Sequence, residues 1–499
     1  MIHARPTLAK SVLRLSLKQL QRSPYELDPS HPALLPDSLI GAGVARSGSK
    51  GAPEPDDFEL YLLLAAAEYI LATKDVAFLA EALSGYNSTD ELPVLTHLLR
   101  AANFTLDDVG RGPHGLLRLL SSDWDDGFKP PATARNLSES VLSSALAALV
   151  LPKWASVLRL VGGHSDAAAR ADAFADGLKH QLLTEAWDPA GWLRRAWLGP
   201  SMGWVGSSAS TDVDGGVFSA PVGWALLAGV FDDVPARGLQ QVGTLLTHCR
   251  GAMPIGFPYR CRQGPLPPGS GAWPAQNHPM VMGLARVNGS VAWDEFARNS
   301  LEAQAAWRPD RWLGVWTSSD EIRRDSLPGN WTNDFPALCT HRHAWPLVSF
   351  AILVGLRPTT TGISLSPSLP PRLGPYEYDT PLAGARWDGR SKWSGHYAPL
   401  ATGAWQLRVD VAPLVAAATE ALGRVSGMRV TLSALAAGCE PAVDTGHVDP
   451  SPPHGCAPHV VVARAAANQA APLSLRSPLP TRYIAWVIVA DGHIEHDRR

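Results

Sequence analysis

The chain has 499 residues, 45% of them apolar and 18% charged, with a formal net charge of -3. Those proportions describe a globular chain rather than a disordered one, and the length suits one large toroid with a smaller domain. The near-neutral balance offers no basic patch for nucleic acid, and no apolar run reads as long enough to span a bilayer, so neither partner is expected.

In chain order, residues 6–20 read as an amphipathic helix with Leu8, Val12, Leu13, Leu15 and Leu20 on one side. A Pro/Gly/Ser-rich stretch follows from Ser23 to Pro55. Asp56-Asp57 then opens a helix that is apolar on nearly every side, from Phe58 to Ile70. Such a helix is buried all round, which predicts the inner layer of a two-layer helical assembly. Helices are expected at 76–83 and 92–103. Ser138–Leu151 is Ala/Leu-rich, with Pro152 marking a kink or stop. A more polar helix spans 166–186, and a Gly- and Trp-rich irregular stretch covers 187–216. Apolar helices recur at 217–230, 276–286 and 343–355, and amphipathic ones at 235–248 and 290–306. This alternation, joined by long loops, predicts helical hairpins arranged in a ring. After Pro358 the texture changes to short strands around 363–365, 405–409, 429–432, 459–462 and 483–489, with a helix at 412–424. The expected division is therefore a helical barrel over 1–357 and a β-rich domain over 358–499.

The chemistry concentrates at Ser122-Asp123-Trp124-Asp125-Asp126-Gly127. Carboxylates this close repel one another, and one kept protonated beside ionised neighbours is what glycosidic-bond cleavage requires. The indole offers an apolar face for a sugar ring. The competing reading is a solvated acidic loop. Tryptophan is over-represented throughout, with 18 residues against 9 tyrosines, and it serves either core filling or sugar stacking. Gly199-Pro200-Ser201-Met202-Gly203 matches a nucleophile elbow in letters only, since no strand and helix are expected around it. Cys339, His341 and His343 alternate and are of metal-ligating type, but no second cluster has zinc spacing, so no metal or cofactor is expected.

Four linked segments carry a family resemblance: Pro55 to Leu64, Ala67 to Leu79, Gly112-Pro-His-Gly-Leu-Leu-Arg118, and Asp123-Trp-Asp-Asp-Gly127. In order and spacing they resemble the catalytic barrel of cellobiose and chitobiose phosphorylases and, more broadly, six-hairpin glycosidases. Looser matches extend to about residue 400. The resemblance implies a mainly α, (α/α)6 toroid and inversion at the anomeric carbon. It implies that Asp126 is the general acid, that Asp57 holds the sugar at the cleaved bond, and that Trp124 is the motif's tryptophan. Asp123, Trp124, Trp316 and Trp345 are expected to bind the substrate with Asp57. Asp125 stands where the family has Asn. Two departures touch the phosphate site: His278 is an uncertain counterpart of the family's histidine, and the Thr-Gly turn reads Thr340-His341. If water replaces phosphate, an inverting hydrolase needs a carboxylate base, and Asp320 or Glu321 is expected to supply it. The competing reading of Asp320 is a cap on a following helix. Asp56 and Asp57 likewise have a competing reading as caps of the buried helix.

Three functions therefore stand at this level. The first is an inverting glycoside hydrolase of oligosaccharides, and the second is a phosphorylase using inorganic phosphate as co-substrate. The third is a carbohydrate-binding relative without turnover. About ten helices are expected where twelve close the family's ring. That predicts exposed apolar faces and aggregation or a homodimer beside 6–20 and 343–355. The first eighteen residues lack the apolar core of a signal peptide. Five sequons (Asn87, Asn103, Asn136, Asn288, Asn330) and the close pairs Cys249/Cys261 and Cys439/Cys456 nevertheless suit an oxidising compartment, so localisation stays open.

Overall fold

The computed structural model describes residues 2, 5–18, 57–84, 91–120, 122–125, 130, 132–134, 137–209, 216–249, 260–261, 271–300, 302–303, 318–324, 331–337, 340–422, 425–435, 443–444, 447–448, 457–477 and 480–492. Its helices are α1 Pro6–Lys18, α2 Phe58–Thr73, α3 Val94–Asn103, α4 Val141–Val161, α5 Ser165–Thr184 and α6 Ala220–Leu227. They continue with α7 Pro235–His248, α8 Asn277–Leu284, α9 Gly289–Arg298, α10 Thr340–Val354 and α11 Val411–Leu422.

The all-apolar helices form the inner layer, because only there can every face leave water. In succession α2 packs on α4, α4 on α6, α6 on α8 and α8 on α10, while α3, α5 and α9 lie outside α2, α4 and α8. The contact between α6 and α8 is closest at two glycines. A Cβ on Gly223 would lie 2.5 Å from the Met280 amide nitrogen, and one on Gly283 would lie 2.5 Å from the Gly223 carbonyl oxygen. Glycine is required at both positions by backbone proximity.

Several boundaries differ from the sequence expectation. α4 runs straight through Pro152 to Val161, because packing against α2, α5 and α6 outweighs the one hydrogen bond that proline removes. The continuous α4 is long and apolar enough to cross a bilayer, which the sequence reading missed by ending it at Pro152; here most of it is buried inside the protein. Residues 76–83 are a short 3-10 turn, Val76–Ala80, followed by strand Ala82–Ser84. α6 and α9 are shorter than expected, with strand Val217–Phe218 preceding α6.

The β-rich part comprises two larger sheets and, among the described residues, a two-stranded pair, Val443–Asp444/His447–Val448. A four-stranded sheet runs Leu356–Thr359, Gly362–Leu365, Gln406–Val409, Leu473–Arg476, with its middle pair parallel. A six-stranded antiparallel sheet runs Tyr376–Asp379, Ala383–Trp387, Lys392–Tyr397, Ile484–Gly492, Val425–Ala434, His459–Ala466. The expected boundary at 357/358 falls inside the first strand. That strand packs against both α2 and α10, the first and last inner helices. The far end of α2 is tied to the β-rich part by three bonds: Lys74 Nζ to the Thr359 carbonyl, Tyr397 Oη to the Ala72 carbonyl (2.8 Å), and the Leu400 amide to the Thr73 carbonyl (2.8 Å). The β-rich part thus sits where the inner helices end, and leaves their beginnings free for a site.

Candidate active site

Each inner helix is entered through a long connection and left through a shorter one. Residues 104–140, 185–219, 249–276 and 299–339 lead into α4, α6, α8 and α10, whereas 162–164, 228–234 and 285–288 lead out of α4, α6 and α8. The long connections therefore join the amino-terminal ends of the inner helices, and their described parts mark the mouth of the barrel there. The described candidates belong to this end by their place in the chain. Asp57 immediately precedes α2, and the Asp123 segment lies in the connection into α4. His278 is the second residue of α8, Thr340 and His341 begin α10, and Asp320 and Glu321 lie in the connection into α10.

The floor of the mouth is aromatic. Trp224 on α6 meets Tyr61 on α2 (centroids 6.1 Å apart) and Trp345 on α10 (5.9 Å), both edge-on. α2 and α6 are separated by α4 in the ring, so these rings meet across its interior. They are the fourth, fifth and sixth residues of their helices, about 5–8 Å below the helix starts at 1.5 Å per residue. Trp345, expected as a sugar-contacting residue, is thus partly buried and part of this floor. Asp57 is buried at the start of α2, and its side chain does not cap the helix, so the competing reading as an N-cap fails for it.

The acidic segment is anchored by an arrangement the sequence did not reveal. Asp123, expected to bind substrate, is instead fully buried and turned into the protein. Arg195 grips it with two bonds, Nη1 to Oδ2 and Nη2 to Oδ1, each 2.7 Å, and neither side chain is exposed. Ser140 Oγ donates to Asp123 Oδ2 at 2.7 Å and also accepts from the Ser143 amide (3.0 Å), capping α4. The Asp125 amide donates to Asp123 Oδ1 at 3.1 Å. Both carboxylate oxygens of Asp123 are committed internally, which is why it does not serve a sugar. Trp124 is half-buried and packs on the core, and Asp125 is half-buried. Asp126, the expected acid, and Trp316 lie outside the described residues.

Arg195 is itself fixed. Its amide donates to the Val205 carbonyl (2.9 Å), and its carbonyl accepts from Val141. It opens the hairpin Ala196–Trp197/Trp204–Val205, whose first strand pairs with Glu139–Ser140. Glu139 in turn explains the Gly-Pro-His-Gly segment. Its buried carboxylate accepts from His114 Nδ1 (2.6 Å), the His114 amide (3.0 Å) and the Leu116 amide (3.0 Å). Gly112 is obligatory there, since a Cβ would lie 2.4 Å from Glu139 Cγ. Burial pushes the Glu139 carboxyl above the usual range, against the lowering effect of His114 and the two amides. Trp197 and Trp204 enclose the His114 ring at 4.6 and 4.9 Å. Much of the Trp-rich stretch thus serves packing rather than sugar stacking.

His278 is buried and engaged at both ring nitrogens. Nδ1 lies 3.2 Å from Ser349 Oγ, and Nε2 lies 3.3 Å from the Asn299 amide nitrogen. An amide nitrogen donates, so Nε2 accepts and Nδ1 carries the proton. Asp320 and Glu321 stand on strand Ser318–Arg324, paired antiparallel to Trp331–Ala337. No helix follows Asp320, so the competing helix-cap reading is excluded. No group of three or more metal-ligating side chains occurs among the described residues.

With this geometry in hand, comparison with known proteins places the chain. The family described as "Glycosyl hydrolase 94 superfamily, catalytic domain" matches residues 1–264, more than half of the chain. No curated protein matches. Solved structures with a distant likeness include a rhamnosidase of Bacillus sp. GL1, at 14% identity and TM-score 0.45, covering 69% of this chain and 31% of that one. Another is cellobiose 2-epimerase of Spirochaeta thermophila, at 14% identity and TM-score 0.41, covering 70% and 80%. A third is unsaturated glucuronyl hydrolase of Bacillus sp. GL1, at 12% identity and TM-score 0.37, covering 60% and 74%. The chain thus spans less than a third of the rhamnosidase's length. By the family match over residues 1–264, the chain belongs to the glycosyl hydrolase 94 superfamily and is a carbohydrate-active enzyme.

Proposed function

We propose that the chain cleaves a glycosidic bond in an oligosaccharide with inversion, Asp126 protonating the departing oxygen and water attacking the anomeric carbon from the opposite side. Asp57 and the half-buried Trp124 hold the sugar at the cleaved bond, above the Tyr61–Trp224–Trp345 floor. Asp320 or Glu321, on the strand that leads toward α10, removes the proton from water. An inverting pair of this kind stands about 6.5–9.5 Å apart, leaving room for that water.

The observation that carries hydrolysis over phosphorolysis is the state of His278. The ring is buried and both its nitrogens are engaged, by Ser349 and Asn299, so it is turned away from the phosphate-holding role expected for it. Phosphorolysis is the second reading, favoured by the resemblance to cellobiose and chitobiose phosphorylases. Incubation of the protein with cellobiose or N,N′-diacetylchitobiose, with and without inorganic phosphate, separates the two. Hydrolysis gives two reducing sugars at a rate indifferent to phosphate. A sugar 1-phosphate formed only when phosphate is present replaces this reading with phosphorolysis.

A further inference from the structure

We infer that Arg195 is a positioning residue for the general acid, acting from the connection into α6 through Asp123. The inference rests on the proposed role of Asp126 and adds the element that sets where its proton is delivered.

Three observations converge. Asp123 lies three residues before Asp126 and cannot move without breaking a two-bonded, fully buried ion pair with Arg195. The Asp125 amide, adjacent to the acid, is held by the same carboxylate at 3.1 Å. Ser140 binds Asp123 Oδ2 and caps α4 with one hydroxyl, so the segment takes its position from an inner helix as well. The planar fork of arginine fixes the carboxylate in angle as well as distance, which a lysine does not do. Proton donation requires such control, since general acids work over hydrogen-bond distances.

A misplaced acid has a signature that general loosening lacks. It slows cleavage only where the leaving group needs a proton. Arg195→Lys keeps the charge and removes the fork. With the natural disaccharide (cellobiose or N,N′-diacetylchitobiose, whichever the wild type turns over), its kcat should fall about 100-fold, within the range typical of lost acid catalysis. KM should stay within about threefold. With the 2,4-dinitrophenyl glycoside of the same sugar, whose leaving group needs no proton, kcat should fall less than about threefold. Ser140→Ala, which spares the ion pair, should show the same pattern at about a tenth of the size, and carries the test if Arg195→Lys does not fold.

Equal losses on both substrates, or no loss on either, would overturn the inference. Asp126→Asn run alongside separates the two levels. If Asp126→Asn itself shows no dependence on the leaving group, the acid assignment falls and takes the inference with it. If it shows that dependence and Arg195→Lys with Ser140→Ala do not, the inference alone falls. A wild-type chain that turns over none of these sugars overturns the proposed function.

Discussion

The two ends of the helical barrel are built by different rules. Where the inner helices begin, long connections carry carboxylates, tryptophans and arginines, and their polar groups are stitched together by buried and partly buried side-chain bonds such as Asp123–Arg195, Glu139–His114 and Asp188–Ser208. Along the body and toward the far end, the helices meet through Leu, Ala and Gly, connections are short, and the β-rich part closes over α2 and α10. The body is held by burial, worth roughly 1.5–3 kcal/mol for each fully buried leucine. The mouth is held by directional bonds that fix angles, which is what a reacting group needs.

If that division is right, the largest change in rate comes from the mouth with no change in fold. Asp126→Asn keeps size and shape but cannot donate a proton, and should lower turnover about 10²–10⁴-fold with an unchanged melting temperature. A variant within about twofold of wild type would remove Asp126 from the mechanism.

The body should answer in the opposite currency. Gly283→Ala forces a methyl to within 2.5 Å of the Gly223 carbonyl and 2.8 Å of Leu226 Cβ. Overpacking of this kind typically costs about 1–3 kcal/mol, so denaturant melts should show a lower midpoint. The kcat of the folded fraction should stay near wild type. A loss of kcat at full stability would mean that the α6–α8 contact, too, shapes the site.

How much of this was legible in the sequence follows from the same division. The inner helices were readable because an all-apolar face pattern has one physical solution, and the acidic segment was readable because its residues are adjacent. Arg195 was not. In Arg194-Arg195 the two guanidiniums look alike, yet one stacks on Trp204 and the other is buried against a carboxylate 72 residues away. Nothing local distinguishes them. Asp123 was misassigned for the same reason, its partners being remote. Pro152 misled because local propensity is weak beside the packing of a helix buried on three sides. The antiparallel strands Tyr376–Asp379, Ala383–Trp387 and Lys392–Tyr397 were missed. They are short and contain Gly and charged residues, and their stability comes from the stacked Trp387–Trp393 pair (5.6 Å) and the central strand Ile484–Gly492.

A smaller effect is expected at Asp57. Its carboxylate is buried at the mouth and contributes no cap to α2, so its removal should weaken sugar binding more than the helix. A hydrogen bond to a charged group is worth about 1.5–3 kcal/mol, which predicts a rise of roughly 10- to 100-fold in KM or Kd for Asp57→Ala. Calorimetric titration in the Asp126→Asn background measures it without turnover. A drop in melting temperature at unchanged affinity would return Asp57 to a purely structural role.

The smallest effect tests whether acid loosens the mouth before the body. Asp188 is fully buried and takes bonds from Ser208 Oγ (2.5 Å), the Ser208 amide (3.0 Å), the Ala190 amide (3.0 Å) and Ser207 Oγ (3.0 Å), and it also pairs with Arg194. Burial alone would raise its carboxyl, but the Ser208, Ala190 and Ser207 bonds outweigh it and hold it down at about 2. The folded value therefore lies below the unfolded one, near 3.9. The sign follows: the unfolded chain binds the proton first, so the stabilisation is complete above about pH 4 and is lost as pH falls toward 2. Its size is at most roughly 2–3 kcal/mol, enough to loosen one connection and too small to melt the barrel. Tryptophan emission should reveal this loss, because Trp192 and Trp204 lie in the same connection, while far-ultraviolet dichroism from the helices should hold over the same interval. Asp188→Asn should abolish that separation, leaving the emission flat from pH 4 to 2. If helix signal and emission fall together in the wild type, the mouth and body unfold as one unit and the division between them is thermodynamically empty.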